Sequence, residues 1–217
     1  MTWSWLTRLR RARWANLVVI NLRILIGFAF LPAAVKKVLD QPFTDPANTG
    51  RFHDFLHAFH ATGWFYQLVG GFQLVAAALL LSQRFALVGA LIALPMLTAI
   101  TAFCWSTGVA PTATVATLMW LGTVALVVWD VDRWRGVVAA SAHPVASSPA
   151  PAPPVDLRRW QWCGAVIFVL YLAASVAHGG VYRPRGMDLD DPTFFVLPAI
   201  ALCPLVTLIL DRRARRR

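Results

Sequence analysis

Six long apolar stretches decide what this chain can fold into. They cover residues 16–35, 64–82, 85–105, 112–129, 160–177 and 194–210, each close to the roughly 20 residues with which a helix crosses a bilayer. None alternates apolar and polar residues with a period of 2. A segment of this length in lipid must satisfy its own backbone, so the sequence predicts helices. Trp14, Trp64, Trp105, Trp129 and Trp160 stand at the ends of these stretches, where indole rings anchor at the interface. Of the 217 residues 58% are hydrophobic and 14% charged, with a mean hydropathy of +0.60; soluble domains carry about 25% charged residues. The expected class is all-α, a polytopic membrane helix bundle whose first partner is the lipid bilayer.

A formal charge of +10 is the mark of many nucleic-acid binders, but here the basic residues sit at the ends of the apolar segments, where they meet headgroups and set orientation. With the N-terminus inside, the inner segments hold 14 Lys and Arg and the outer loops 5, Arg23 lying within the first span. This asymmetry predicts six spans with both termini cytoplasmic and no nucleic-acid partner. The N-terminal WSWLTRLRRARW leads into an apolar region that ends at Val35, Lys36 and Lys37 without a small-residue cleavage site; it reads as a retained interfacial segment rather than a secretory signal.

The composition changes at GVVAASAHPVASSPAPAPPV, residues 136–155, where Pro and Ala favour an extended connector over a packed core. It divides a four-helix unit, residues 1–135, from a C-terminal helix pair with an Arg-rich tail, residues 156–217. No internal repeat relates the two parts.

RILIGFAFLPAAVKKVLDQPF and FLHAFHATGWFYQLVGGFQLVAAALLLSQRFALVGALIALPM carry a recognisable pattern. It comprises an Arg early in the first helix and a Lys at its far end, then an amphipathic approach to a Thr-Gly-aromatic helix start. A Gly-Gly-x-Gln second helix, a Leu-rich end with an Arg turn, and Gly-Ala then Leu-Pro in the third complete it. In this the chain resembles the DoxX family of small four-helix bacterial membrane proteins, over about residues 20–130. The resemblance implies a four-helix DoxX-like core in a bacterial cytoplasmic membrane, with two further transmembrane helices outside it. It also implies an association with membrane oxidoreductase systems, such as the smaller subunit of thiosulfate:quinone oxidoreductases, or with thiol and oxidative-stress chemistry. The thiol branch fits poorly, because Cys104, Cys163 and Cys203 are isolated in apolar helices and form no Cys-x-x-Cys pair. They read as buried structural thiols, a disulfide between two helices remaining open.

His53, His57 and His60 fall within eight residues and, at 100° per residue, within one arc of an amphipathic helix on the outer surface. His53 and His60 are separated by roughly 10 Å along the axis, too far to close three ligands around one ion at bonds near ~2 Å. At most a pair, His53 with His57 or His57 with His60, would hold a metal, with Asp54 or a partner from elsewhere; the other readings are a pH-sensitive or proton-handling role and a solvated or interfacial face. Arg23 lies about 10 Å into the first span, a costly position that calls for a partner or a route to the interface. It either snorkels to the headgroups or joins Asn21 and Gln73 in a polar pocket between the first two helices, where a quinone oxygen or an anionic headgroup would accept its hydrogen bonds.

Lys36 and Lys37, followed by Asp40, Asp45 and Asp54, read as an ion-pair cluster or an anion-recognition rim. Gly70, Gly71, Gly89 and Gly122 suit close helix approach, and Pro32, Pro95, Pro198 and Pro204 are expected to bend their helices. Asp188, Asp190 and Asp191 lack EF-hand spacing and sit beside Arg183 and Arg185, which favours charge pairing. Nucleotide loops, a serine elbow and zinc-protease signatures are missing, and no residue set supplies a self-sufficient enzyme. The sequence therefore points to an accessory membrane component of a redox system, contacting quinone or a redox enzyme subunit; a small-solute transporter or lipid-binding membrane protein without a redox role is the alternative.

Overall fold

The computed structural model describes residues 4–132, 155–182 and 192–214. Among these, all regular structure is helical: α1 (Ser4–Arg11), α2 (Arg13–Val38), α3 (Arg51–Ala61), α4 (Trp64–Leu81), α5 (Ala86–Ser106), α6 (Ala110–Trp129), α7 (Leu157–Ala177) and α8 (Val196–Ala214), the last preceded by a 3₁₀ turn, Pro192–Phe195. Linker residues 136–154, the aspartate run 188–191 with Arg183 and Arg185, and the final arginines lie outside the described residues.

Five helices, α2, α4, α5, α6 and α7, are long and apolar enough to cross a membrane. Helix α8 has 19 residues, but Asp211, Arg212 and Arg213 occupy its end, so the apolar part, 196–210, falls short of the roughly 20 residues a span needs. The amphipathic segment around the histidines forms α3, and the N-terminal lead-in forms α1, broken from α2 at Ala12.

Helices α2, α4, α5 and α6 close a ring in which α6 returns to α2, and α7 packs against α2 and α4 with α8 against α7. Contacts show that sequential spans run antiparallel: Gly27 of α2 faces Ala77 and Leu81, while Gly70 of α4 faces Ala34 and Lys37. Indole donors tie α5 to α6 in the same sense, Trp105 Nε1 to Thr117 Oγ1 at 3.0 Å and Trp120 Nε1 to Thr98 Oγ1 at 2.9 Å. Small residues make this close packing possible. Ala34, Ala76, Ala77, Ala90 and Ala93 are fully buried, whereas Leu25, Val75, Leu118, Leu121 and Val176 point outward, an apolar exterior suited to lipid.

The closest helix contacts are made at glycines. A Cβ at Gly70 would stand 2.5 Å from Lys37 Cβ, and one at Gly164 would stand 1.9 Å from Leu81 O. Gly71 differs from the expectation: a Cβ there meets nothing within 4 Å, because it is one residue, about 100°, around the helix from the packed face.

The two ends of the bundle are finished differently. At the α3 end, Phe52 and Phe55 pack on Phe103, with ring centroids 5.3 and 4.4 Å apart, and Phe59 lies 5.0 Å from Tyr66. At the α1 end, Leu6 is buried and Arg10 reaches Asp132 and the Trp129 carbonyl past the end of α6. Asn16 fastens the break at Ala12 by donating to the carbonyls of Arg10 and Ala12 at 2.8 and 2.9 Å. Arg13 pairs with Asp211 at 2.7 Å, which also accepts from the Asp156 amide at 3.3 Å, so the ends of α2, α7 and α8 meet at one carboxylate.

Gly164→Ala is expected to destabilise the bundle by about 1–3 kcal/mol through overpacking. Gly71→Ala, which adds helix propensity in open space, should stabilise it by about 0.5–1 kcal/mol. Thermal unfolding of the two variants in detergent checks both signs.

Candidate functional site

The buried polar groups collect in two layers, one at each end of α2. In the layer nearer α1, Arg23 is 6% exposed and its Nη2 lies 2.8 Å from Oδ2 of the equally buried Asp130. Asp130 is the C-cap residue of α6, so the ion pair joins the side of α2 to the end of the last helix in the ring. A buried arginine needs such a partner, and the pair replaces both of its expected environments, the headgroups and the pocket with Asn21 and Gln73. The helical period explains the difference. Asn21 is two residues, about 200°, around from Arg23. Gln73 bonds the Lys37 ammonium at 3.1 Å, and Lys37 is 14 residues, about 21 Å, farther along α2.

Gln83 lies in the same layer. Gly27 faces Leu81, so Arg23, one turn closer to α1, stands opposite the residues just past α4. Gln83 has a left-handed backbone, φ 58°, which costs a non-glycine residue about 1–2 kcal/mol. It is 2% exposed, and among the described residues neither its Nε2 nor its Oε1 has a hydrogen-bond partner. Trp160 is fully buried with its Nε1 equally unpartnered. It precedes Gly164, the residue in backbone contact with Leu81, by one turn on the same face of α7, which sets the indole at the end of α4. Two unused donors and one unused acceptor thus lie at about the depth of a buried ion pair, although each such group costs about 1–3 kcal/mol when left unsatisfied. Sequence reading missed Gln83 and Asp130 because both follow the ends of apolar stretches, where polar residues are ordinary.

The second layer lies at the α3 end. Lys37 is 7% exposed and is held by Gln73 and by the rings of Phe43 and Tyr66, at 4.5 and 5.8 Å from the ammonium, in a cation–π arrangement. Two of the aspartates expected around it have other neighbours: Asp45 Oδ1 accepts from the Ala47 amide at 2.9 Å, and Asp40, whose backbone is left-handed, φ 53°, has Oδ1 3.5 Å from His60 Nε2 while its carbonyl accepts from the same nitrogen at 3.0 Å. Tyr66 donates to the Gln41 carbonyl at 2.8 Å, which pins the same loop to α4.

The three histidines stitch α3 to this loop. His53 Nδ1 shares a 2.6 Å hydrogen bond with Thr44 Oγ1, His57 Nε2 donates to the Asn48 carbonyl at 3.2 Å, and His60 takes Asp40. Each bond engages one ring nitrogen and leaves the other, so these bonds orient the rings without occupying both nitrogens. Among the described residues no group of three or more His, Cys, Asp or Glu side chains is placed to hold a metal ion. Cys104, Cys163 and Cys203 are all free thiols, so no disulfide joins their helices.

Asn21 lines a different feature, a crevice of about 690 Å³ between α2, α7 and α8. Val18, Leu25 and Phe28 form one wall and Ile167, Ile200 and Pro204 the others, and Asn21 is the one polar side chain among them. Its Nδ2 donates to the Leu17 carbonyl at 2.8 Å. The crevice and Arg23 lie on opposite sides of α2.

No family model, curated protein or solved structure matches the chain. Removing one member of a buried ion pair strands the other, so Arg23→Met and Asp130→Leu are each expected to cost about 3–5 kcal/mol, and the double variant less than the sum. A double-mutant cycle by thermal unfolding in detergent measures the difference; additive losses would show that the pair does not couple α2 to α6.

Proposed function

We propose that this chain is a multi-pass protein of a bacterial cytoplasmic membrane and an accessory component of a membrane redox system, contacting quinone or a redox enzyme subunit. Its resemblance to the DoxX family motivates the redox assignment. In this reading α8 with its 3₁₀ turn completes a sixth crossing, and the arginine-rich α1 end faces the cytoplasm, an orientation supported by the excess of 14 basic residues over 5.

The observation that carries the reading is the set of unpartnered buried groups at Gln83 and Trp160. A quinone supplies a pair of carbonyl acceptors and carries two electrons. Gln83 Nε2 and Trp160 Nε1 would donate to those carbonyls, and Gln83 Oε1 would accept from the hydroxyl of the reduced head, so one amide serves both forms. The catalytic redox centre belongs to the partner. The crevice on the other side of α2 favours a second reading, a lipid-binding membrane protein or small-solute transporter without a redox role.

Mass spectrometry of the protein extracted from its own membrane in mild detergent tests the first reading. Stoichiometric quinone or a redox enzyme should co-purify, and Gln83→Leu or Trp160→Phe should lower quinone retention at least about tenfold, a loss of about 1.4 kcal/mol. Because each variant removes an unpaired polar group, its thermal stability should be equal or higher. Wild-type protein free of quinone and partner, or variants that retain quinone unchanged, would sink the redox reading in favour of the lipid or solute reading.

A further inference from the structure

We infer that the crevice between α2, α7 and α8 is a binding site for one anionic phospholipid of the leaflet at the α1 end. The inference shares with the redox reading only the membrane setting, because it uses the opposite face of α2.

Depth is the first argument. Arg13 and Asp211 pair at the α1 end of the bundle. On α2 the crevice begins at Val18 and ends at Phe28, roughly 7 to 22 Å above that pair at 1.5 Å per residue. On α8 it runs from Pro204 to Leu197, over nearly the same range. The hydrocarbon of one leaflet is about 15 Å thick, so the crevice matches the length of one acyl chain lying along the bundle with its head toward α1. Its walls are apolar throughout, and Asn21 sits toward the headgroup side, where its remaining amide hydrogen can meet an ester carbonyl.

Charge is the second argument. Arg212 follows Ala201 and Leu208 at intervals of 7 and 4 on one face of α8, and it is exposed below the crevice. Among the described residues neither Arg212 nor Arg213 has an acidic partner. Arg13 spends Nη2 on Asp211 while its buried Nε has no protein partner. Trp14 is 63% exposed at the same level on α2, a position typical of a headgroup-depth indole. The lower mouth therefore offers cationic donors to a phosphate, while Asp211 is neutralised by Arg13. A neutral head would fill the crevice without using this charge.

Native mass spectrometry of the full chain provides the test, with the purified protein exchanged into detergent containing equal amounts of phosphatidylglycerol and phosphatidylcholine. The wild type should retain one phosphatidylglycerol in preference to phosphatidylcholine. Ala201→Phe, which fills the crevice from an exposed position, should abolish retention of both. Arg212→Gln should lower the preference about fivefold, whereas Arg158→Gln, an exposed arginine at the same end outside the crevice, should leave it intact. Equal retention of the two lipids by the wild type, retention unchanged in Ala201→Phe, or equal losses from Arg212→Gln and Arg158→Gln would overturn the site.

Discussion

A guanidinium enclosed by apolar helices must have its counter-charge close by, and in this protein that requirement organises one end of the bundle. Arg23 takes Asp130 from the end of α6, which closes the ring of α2, α4, α5 and α6 at the one seam where sequential helices do not meet. The pair is worth little as net stabilisation, because desolvating two charges offsets much of their attraction. Its effect is on specificity: any alternative docking of α6 would leave both charges unpaired in a low-dielectric interior. The tight contacts at Gly70 and Gly164 act in the same direction, since a shift of α4 along α2 or of α7 along α4 would bring side chains against backbone.

The six apolar segments were legible in the sequence because each is long enough to leave no alternative to a helix. Five meet the length and apolarity of a span, with ends displaced by up to three residues where polar groups such as Arg13 and Lys37 prolong the backbone ladder. Helix α3 was legible from the arc of its three histidines. Their partners were not, because Thr44, Asn48 and Asp40 belong to a loop whose path depends on Lys37 and Tyr66. The structure does not bring Asn21, Arg23 and Gln73 together: Asn21 differs from Arg23 in rotation, which a helical wheel shows, and Gln73 differs in depth, which depends on how α4 is registered against α2. Asp130 and Gln83 were hidden for a different reason: burial at a helix end depends on what packs over it. Here that is α1 for the former and the start of α7 for the latter.

The two ends of α2 use different chemistry for one problem. At the α3 end a buried ammonium is accommodated by ring faces and an amide, with no carboxylate taking part. At the α1 end, among the described residues, arginines pair with aspartates four times, Arg10 with Asp132, Arg23 with Asp130, Arg13 with Asp211 and Arg159 with Asp156. The result is a polarised molecule, soft and aromatic at one pole and ionic at the other. This polarity also places the unpartnered groups of Gln83 and Trp160, and the mouth of the crevice, at the ionic pole.

The clasp of the first helix carries a consequence for the order of assembly. Arg10 is held by groups 119 and 122 positions later in the chain, and Arg13 by one 198 positions later. A ribosome delivers Asp211 only after every other helix described here has been made, so α2 has its final ionic partner last of all. The amphipathic α1 obtains its own partners earlier, when the end of α6 brings Trp129 and Asp132 to Arg10. The N-terminal helices are therefore fastened in two steps, α1 once α6 is made and the start of α2 once α8 is made, and a chain stalled before α8 would keep the first clasp and lack the second.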